Sequence, residues 1–353
     1  MKRFNHNLFV LLVMAWSLMS CQNNSSLINN RENSIYYWRT TFSLSDKEKE
    51  FLKEHDVKTI YMRFFDVDWA YPAKNGEDIT PEATIRFNDT VPVGIEIIPT
   101  VYITTSAMKK METKENEYAE KIYKRVSAIC KQNNIYFKEV QLDCDWTKGT
   151  RQPFFRLCEA MRENLDSTQA LSSTIRLHQL TQTPPPVDKG VLMVYNTGNL
   201  MEMTSDNSIF SRKDIEPYLR DNRLAHYPLA LDVAYPTYGW SVVFHPGEEK
   251  YYFYKIMRRT DFSGYPNLNK IASNLYEASS EVNFSEDGTK YDKIFKNYRI
   301  RVERPSASEI LEIKKLIDDQ LRNKKHSNIL YHLDESQLSH YSDNEISKIY
   351  SHN

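Results

Sequence analysis

The chain has 353 residues, 46 Lys+Arg against 47 Asp+Glu, and a formal net charge of -1. That balance excludes the strongly basic footprint by which proteins hold nucleic acid. Aromatic residues are abundant, with 23 Tyr and 16 Phe beside only 9 Gly, which raises the question of whether some rings serve a ligand rather than a core.

Lys2 and Arg3 open the chain, residues 8–18 form an apolar stretch, and Leu18-Met19-Ser20-Cys21 follows. The stretch is too short for a comfortable membrane span. Its pattern resembles the signal and lipobox of bacterial lipoproteins, which implies cleavage before Cys21 and lipid on that thiol. An ordinary secretory signal is the alternative. The following residues are rich in Asn and Ser and read as a flexible tether. The expected organisation is a lipoprotein signal over 1–20, a tether over 21–33 and a folded body over 34–353. Residues 1–20 carry two of the 46 basic residues and no acid, so the remainder has 44 minus 47, or -3. Gln22 after the cysteine is compatible with outer-membrane sorting. Cys130, Cys144 and Cys158 stand at no metal-ligand spacing and read as buried thiols.

Strands and helices then alternate. A strand over 35–41 precedes a helix over 46–55, with Ser45 as its cap and Glu48 completing a capping box. A second strand covers 57–65 and closes in Asp66-Val67-Asp68-Trp69. Residues 71–93, rich in turn formers and charge, read as an excursion with a short strand at 84–87. A third strand covers 95–103. A helix over 115–132 carries Tyr118, Ile122, Val126 and Ile129 on one stripe.

The fourth strand, 138–146, is followed by a helix over 153–164. Fifth and sixth strands cover 171–177 and 191–195, and a short helix covers 211–221. The seventh strand, 229–234, runs into Tyr235, Tyr238 and Trp240. Residues 245–304 read as irregular, with a helix near 268–275 and a strand at 298–302. A helix over 306–322 is capped by Ser306, the eighth strand covers 329–333, and a last helix covers 342–350. Eight strands mostly separated by helices predict a (β/α)8 TIM barrel with insertions, whose site lies at the carboxyl ends of the strands.

The fourth strand holds the most informative run, Gln141-Leu142-Asp143-Cys144-Asp145-Trp146. Alternation puts Gln141, Asp143 and Asp145 on one face and Leu142, Cys144 and Trp146 on the other. Paired acids in an apolar strand are costly unless something neutralises or uses them. On a barrel, the same rim gathers Asp66, Asp68, Trp69, Arg176, His178, Tyr195, Asn196, Asp232, Tyr235, Tyr238, Trp240 and Asp334. Acids, aromatics and hydrogen-bonding groups together suit a carbohydrate: one carboxyl can protonate a leaving oxygen while another orients the attack. For Asp66, Asp68 and Asp334 taken singly, a hydrogen bond to a neighbouring loop is the favoured reading. No H-E-x-x-H, C-x-x-C, G-x-S-x-G, Walker-type loop or G-x-G-x-x-G occurs, so neither a metal nor a cofactor is expected.

The run resembles the D-G-x-D-x-D-x-E motif of family-18 glycoside hydrolases, the chitinase-like barrels. Asp143 and Asp145 fall on its second and third acids and Trp146 on the aromatic after them. Val140 replaces the first acid, and Thr147 replaces the final glutamate, which in that family is the proton donor. Tyr195-Asn196 and the segment Tyr235-Pro236-Thr237-Tyr238-Gly239-Trp240 also look like segments of those barrels. The chain is similar as well to a group of bacterial lipoproteins with a glycosidase-like barrel, through the Q-L-D-C-D run and the R-x-x-F start of the next helix, Arg151 to Phe154; that likeness implies no activity.

Two readings stay open for the rim. In one the protein is a glycoside hydrolase, with Asp145 as general acid, Asp143 as its electrostatic partner, Trp69, Trp146 and Trp240 as sugar platforms, and Arg176, Tyr195, Asn196 and Tyr238 as hydroxyl ligands. In the other, the loss of glutamate at Thr147 leaves a lipoprotein that binds an oligo- or polysaccharide without cleaving it. A purely structural lipoprotein is a third reading.

Overall fold

The computed structural model describes residues 32–74, 77–284 and 293–352. The expected signal, Cys21 and all but the last two residues of the expected tether lie outside them. Eight parallel strands, β1 (Asn33–Tyr37), β2 (Val57–Lys74), β3 (Glu96–Ile103), β4 (Glu139–Cys144), β5 (Ala170–Arg176), β6 (Lys189–Met193), β7 (Leu231–Pro236) and β8 (Asn328–Tyr331), pair in chain order. β8 pairs with β1 and β1 with β2, which closes the barrel. The expected (β/α)8 fold is the observed one, and each of the eight expected strands overlaps a barrel strand.

Among the described residues the α-helices longer than four residues are α1 (Asp46–Glu54), α2 (Thr105–Met111), α3 (Glu115–Gln132), α4 (Arg151–Asn164), α5 (Ala307–Leu321) and α6 (Asp343–Tyr350). Ser45, Ser306 and Ser342 cap α1, α5 and α6, each in a capping box with the glutamate three residues on. Such a box satisfies two orphaned backbone donors at once, which is why S-x-x-E marks these starts. α2 was not foreseen; Thr104 caps it by accepting from the Ala107 amide.

Strand alternation builds the core. On β4, Val140, Leu142 and Cys144 are fully buried in one cluster with Val126 of α3 and Phe154, Leu157 and Cys158 of α4. Burying each such aliphatic side chain is worth roughly 1.5–3 kcal/mol. Gln141 and Asp143 face the barrel interior instead, as alternation requires. Cys130, Cys144 and Cys158 are free and buried. Among the described residues, no helix is long and apolar enough to cross a membrane.

Two segments depart from expectation. β2 does not stop near residue 65: it continues to Lys74 and pairs antiparallel with Glu77–Glu82, so part of the expected excursion is a hairpin. The short strand within it is Arg86–Phe87, parallel to Thr41–Phe42. The described residues of 245–304 are largely regular, and the strand expected at 298–302 is Arg299–Glu303. They contribute to a five-stranded antiparallel sheet, in the order Tyr251–Met257, Trp240–Pro246, Arg299–Glu303, Leu275–Ala278, Leu268–Ala272. It has its own small core of Val243, Met257, Phe262, Leu268, Ile294 and Ile300. The helix expected near 268–275 is a hairpin of that sheet. Leu268, Ile271 and Leu275 fall at helical spacing, yet Ser273-Asn274 forms the turn and cross-strand pairing decides the conformation.

Candidate functional site

The site starts from β4 and β5. Their register pairs Gln141 with Ser172, and the same offset carries Thr174 beside Asp143 and Arg176 beside Asp145. The Thr174 hydroxyl donates to Asp143 Oδ1 at 2.6 Å. Arg176 donates through Nη2 to Asp143 Oδ1 at 3.3 Å and through Nε to Asp145 Oδ1. One guanidinium therefore holds both acids. The Asp143 side chain is 6% exposed and that of Asp145 is 48% exposed.

Burial raises the Asp143 pKa above the ordinary carboxyl value, and the nearby Asp145 charge adds to the rise. The Arg176 charge and the Thr174 hydrogen bond oppose it. Burial works against the charge on Arg176, and the two carboxylates more than offset it, so its pKa is raised. Burial and the two acids push the Tyr102 phenol up to about 12.

Beneath this pair, Gln141 Oε1 accepts from the Tyr36 hydroxyl at 2.8 Å. Above and beside it stands a cluster of tilted and edge-on rings. Tyr331 lies 4.9 Å from Tyr195, 5.4 Å from Tyr238, 5.6 Å from Tyr36 and 5.8 Å from Trp38, centroid to centroid. The Tyr238 hydroxyl donates to Asn196 Oδ1 at 2.8 Å. Asn196 sits at φ 55°, a left-handed conformation that Asn tolerates better than most residues. The rim opens into a cavity of about 270 Å³ lined by Asp145, Arg176, His178, Tyr195, Asn196 and Tyr218, among others. His178 is exposed in the turn after β5, and its partial burial lowers its pKa.

The remaining rim residues are placed as follows. Asp66 is paired by Arg63, whose Nε donates to Oδ1 at 2.7 Å; the Arg63 guanidinium also lies 5.6 Å from the Trp38 ring. Asp68 accepts from the Thr104 hydroxyl at 2.7 Å and from the Trp69 amide at 2.8 Å. Trp69 is half-buried, with the Lys110 ammonium 4.8 Å from its ring centre. Trp240 is half-buried and donates its indole N–H to Glu303 Oε2 at 2.6 Å. Asp334 caps Glu335–Leu338 through the Ser336 and Gln337 amides. Burial opposes its charge, but the Ser336 hydrogen bond and neighbouring His332 leave its pKa lowered.

Three expected rim residues lie elsewhere. Trp146 is fully buried and packs edge-on against Phe155 at 5.5 Å, so it is no sugar platform. Its parity on the strand points it to the helices, the face it shares with Leu142 and Cys144. Tyr235 is likewise fully buried, facing Asp318 of α5, which adds to the rise that burial gives its pKa. Asp232 sits at the opposite mouth of the barrel, bonded to Lys189 Nζ at 3.0 Å and to the Ser327 amide at 2.7 Å. It is early in β7, where a parallel barrel turns its strands' amino ends away from the site.

Sequence reasoning missed Tyr36, Trp38, Tyr102, Thr174 and Tyr331 as site residues. Tyr36 and Tyr331 were inside expected strands. Carrying the inward parity of Asp143 to every strand would have found them.

No family model matches the chain, and no curated protein does. Solved structures do. A chitinase from Chromobacterium violaceum matches with TM-score 0.51 at 11% identity, covering 91% of this chain and 98% of that one. The class V chitinase from Nicotiana tobaccum gives 0.52 at 8% identity, with 91% and 97% covered. A variant of the same tobacco enzyme in complex with NAG4 gives 0.51 at 10% identity, with 91% and 98% covered. What this chain shares with these chitinases over nearly their whole length is a fold, the eight-stranded (β/α)8 barrel.

Proposed function

We propose that the chain is a lipid-anchored protein of the bacterial envelope, on the outer membrane, that binds an oligo- or polysaccharide at the upper rim of its barrel without cleaving it. The observation that carries this reading is the engagement of Arg176 with Asp143 and Asp145 together, beside Thr147. A general acid must hold a proton and release it to the leaving oxygen. A carboxylate held by a guanidinium is instead a fixed acceptor of the kind that grips sugar hydroxyls, and Thr147 brings no carboxyl of its own. The cavity beside it is lined by half-exposed Tyr218, exposed Asn196 and largely buried Tyr195, the mixture of rings and polar tips that sugars take. The barrels it resembles are chitinases, one of them bound to NAG4, which makes NAG4 the first ligand to try.

One observation favours the hydrolase reading. Burial raises the pKa of Asp143, so a proton could be kept beside Asp145 at higher pH than usual. Titration of NAG4 and a polysaccharide panel into the protein, with an assay for new reducing ends, separates the two. Binding without new ends, weakened at least about tenfold in Tyr218→Ala, is expected for a ring that packs on the ligand. New ends that disappear in Asp145→Asn would establish the hydrolase instead. Absence of binding to every glycan sinks both.

A further inference from the structure

At the other end of the molecule, α1 returns the chain to the start of β2 and α6 begins beside it. Glu54 is the last residue of α1, His55 its C-cap and Asp343 the first residue of α6. We propose that Glu54, His55 and Asp343 form a binding site for a divalent transition ion, zinc being the best match, which clips α1 to α6. The proposal is independent of the rim and its ligand.

Each of the three residues offers one ligand atom, and these atoms lie within 4.8 Å of one another. His55 Nε2 stands 3.8 Å from Asp343 Oδ1. That gap is too long for a hydrogen bond. It is close to what two ligands span across one zinc ion, each about 2.1 Å from the metal at an open angle. The His55 side chain is 4% exposed, and its Nε2 has no hydrogen-bond partner. A buried polar nitrogen left unpaired is costly, and a metal ion would satisfy it.

The ring is also held in place. Phe51 lies 4.5 Å from it and Tyr350 of α6 lies 6.3 Å from it, centroid to centroid. The His55 carbonyl accepts from Asn33 Nδ2 at 2.7 Å, which fixes the backbone beneath. A ligand oriented by packing needs little reordering to bind. The two carboxylates supply two negative charges against the ion's two positive ones, while nearby Asp56 is paired with Lys58. Imidazole with carboxylates selects zinc or a neighbouring transition ion over calcium and magnesium, which prefer all-oxygen shells. The Glu54 and Asp343 side chains face solvent, so water completes the coordination and the ion has a way in.

A protonated His55 paired with Asp343 is the rival for the same geometry, and it takes up no metal. The test is calorimetric titration of zinc chloride into the chelator-stripped full chain at neutral pH, with melting followed in parallel. The expected result is one zinc ion bound at these residues, with a melting temperature that rises as zinc is added. His55→Ala and Asp343→Asn should each weaken that binding at least about tenfold and abolish the thermal shift. Zinc uptake equal to the parent's in Asp343→Asn overturns the proposal, as does a parent that takes up none. If His55→Ala fails to fold, Asp343→Asn decides alone, because its side chain is 87% exposed and its loss leaves the packing untouched. Zinc held elsewhere on the chain survives both substitutions and is thereby told apart.

Discussion

Each mouth of the barrel holds one cation between two acids. At the lower mouth Lys189 Nζ lies 3.0 Å from Glu139 and 3.0 Å from Asp232, with the Tyr61 hydroxyl at 3.1 Å. At the upper mouth Arg176 lies between Asp143 and Asp145. The side chains differ in what reaches them. Those of Lys189, Glu139 and Asp232 are each 10% exposed and border a cavity of about 80 Å³, whereas that of Asp145 is 48% exposed and borders the cavity of about 270 Å³. The lower trio neutralises charge for the sake of the fold. The upper trio does the same for Asp143 while leaving Asp145 in reach of a ligand. One motif thus serves two ends, and solvent access rather than residue type separates them.

The largest effect expected from breaking this symmetry is at Lys189. Lys189→Met strands Glu139 and Asp232 as buried carboxylates and should cost roughly 3–5 kcal/mol, read by urea unfolding. Glycan binding per folded molecule should stay unchanged; its loss would mean the two mouths are coupled. Arg176→Met is the matching change above. It should cost less, roughly 1–3 kcal/mol, because Asp145 can turn to water, and it should abolish glycan binding. Equal stability losses from the two variants would mean that the two mouths hold their acids alike.

The smallest effect is one of pH. The folded pKa of Asp143 is raised, so the native state binds that proton more tightly than the unfolded chain does. Stability from this group is therefore present below the unfolded carboxyl value and is lost as pH rises toward the folded value. Asp334, with its lowered pKa, contributes in the opposite sense, gaining as pH rises. Asp334 is common to the parent and to Asp143→Asn, so their difference isolates Asp143. Melting in steps from about pH 3 to about pH 7 should show Asp143→Asn gaining on the parent as pH rises. A widening deficit instead would mean that the pair with Arg176 outweighs the burial of Asp143.

Much of this architecture was legible in the chain. The eight barrel strands could be read from apolar runs and the helices that separate them, and three helix starts follow from serine–glutamate boxes at Ser45, Ser306 and Ser342. These are local signals, set within a few residues by backbone hydrogen bonding and side-chain parity. The insertion was legible only at its strand over 298–302, observed as Arg299–Glu303. Its strands are short and pair across gaps as wide as that between Trp240 and Glu303, so local spacing misled at Leu268, Ile271 and Leu275. For the site, parity alone turned Gln141, Asp143 and Asp145 inward and should have turned Trp146 and Tyr235 outward.

By itself, then, the sequence determined which face of each strand carries its polar groups and that two acids would share one of them. Only the tertiary structure decided what those acids meet. The β4–β5 register places Thr174 and Arg176 against residues 31 positions earlier, and the extent of β7 puts Asp232 at a strand's amino end while Asp145 follows a carboxyl end, although both lie on inward faces. Register and closure are products of many weak long-range contacts acting together, and no window of neighbouring residues contains them.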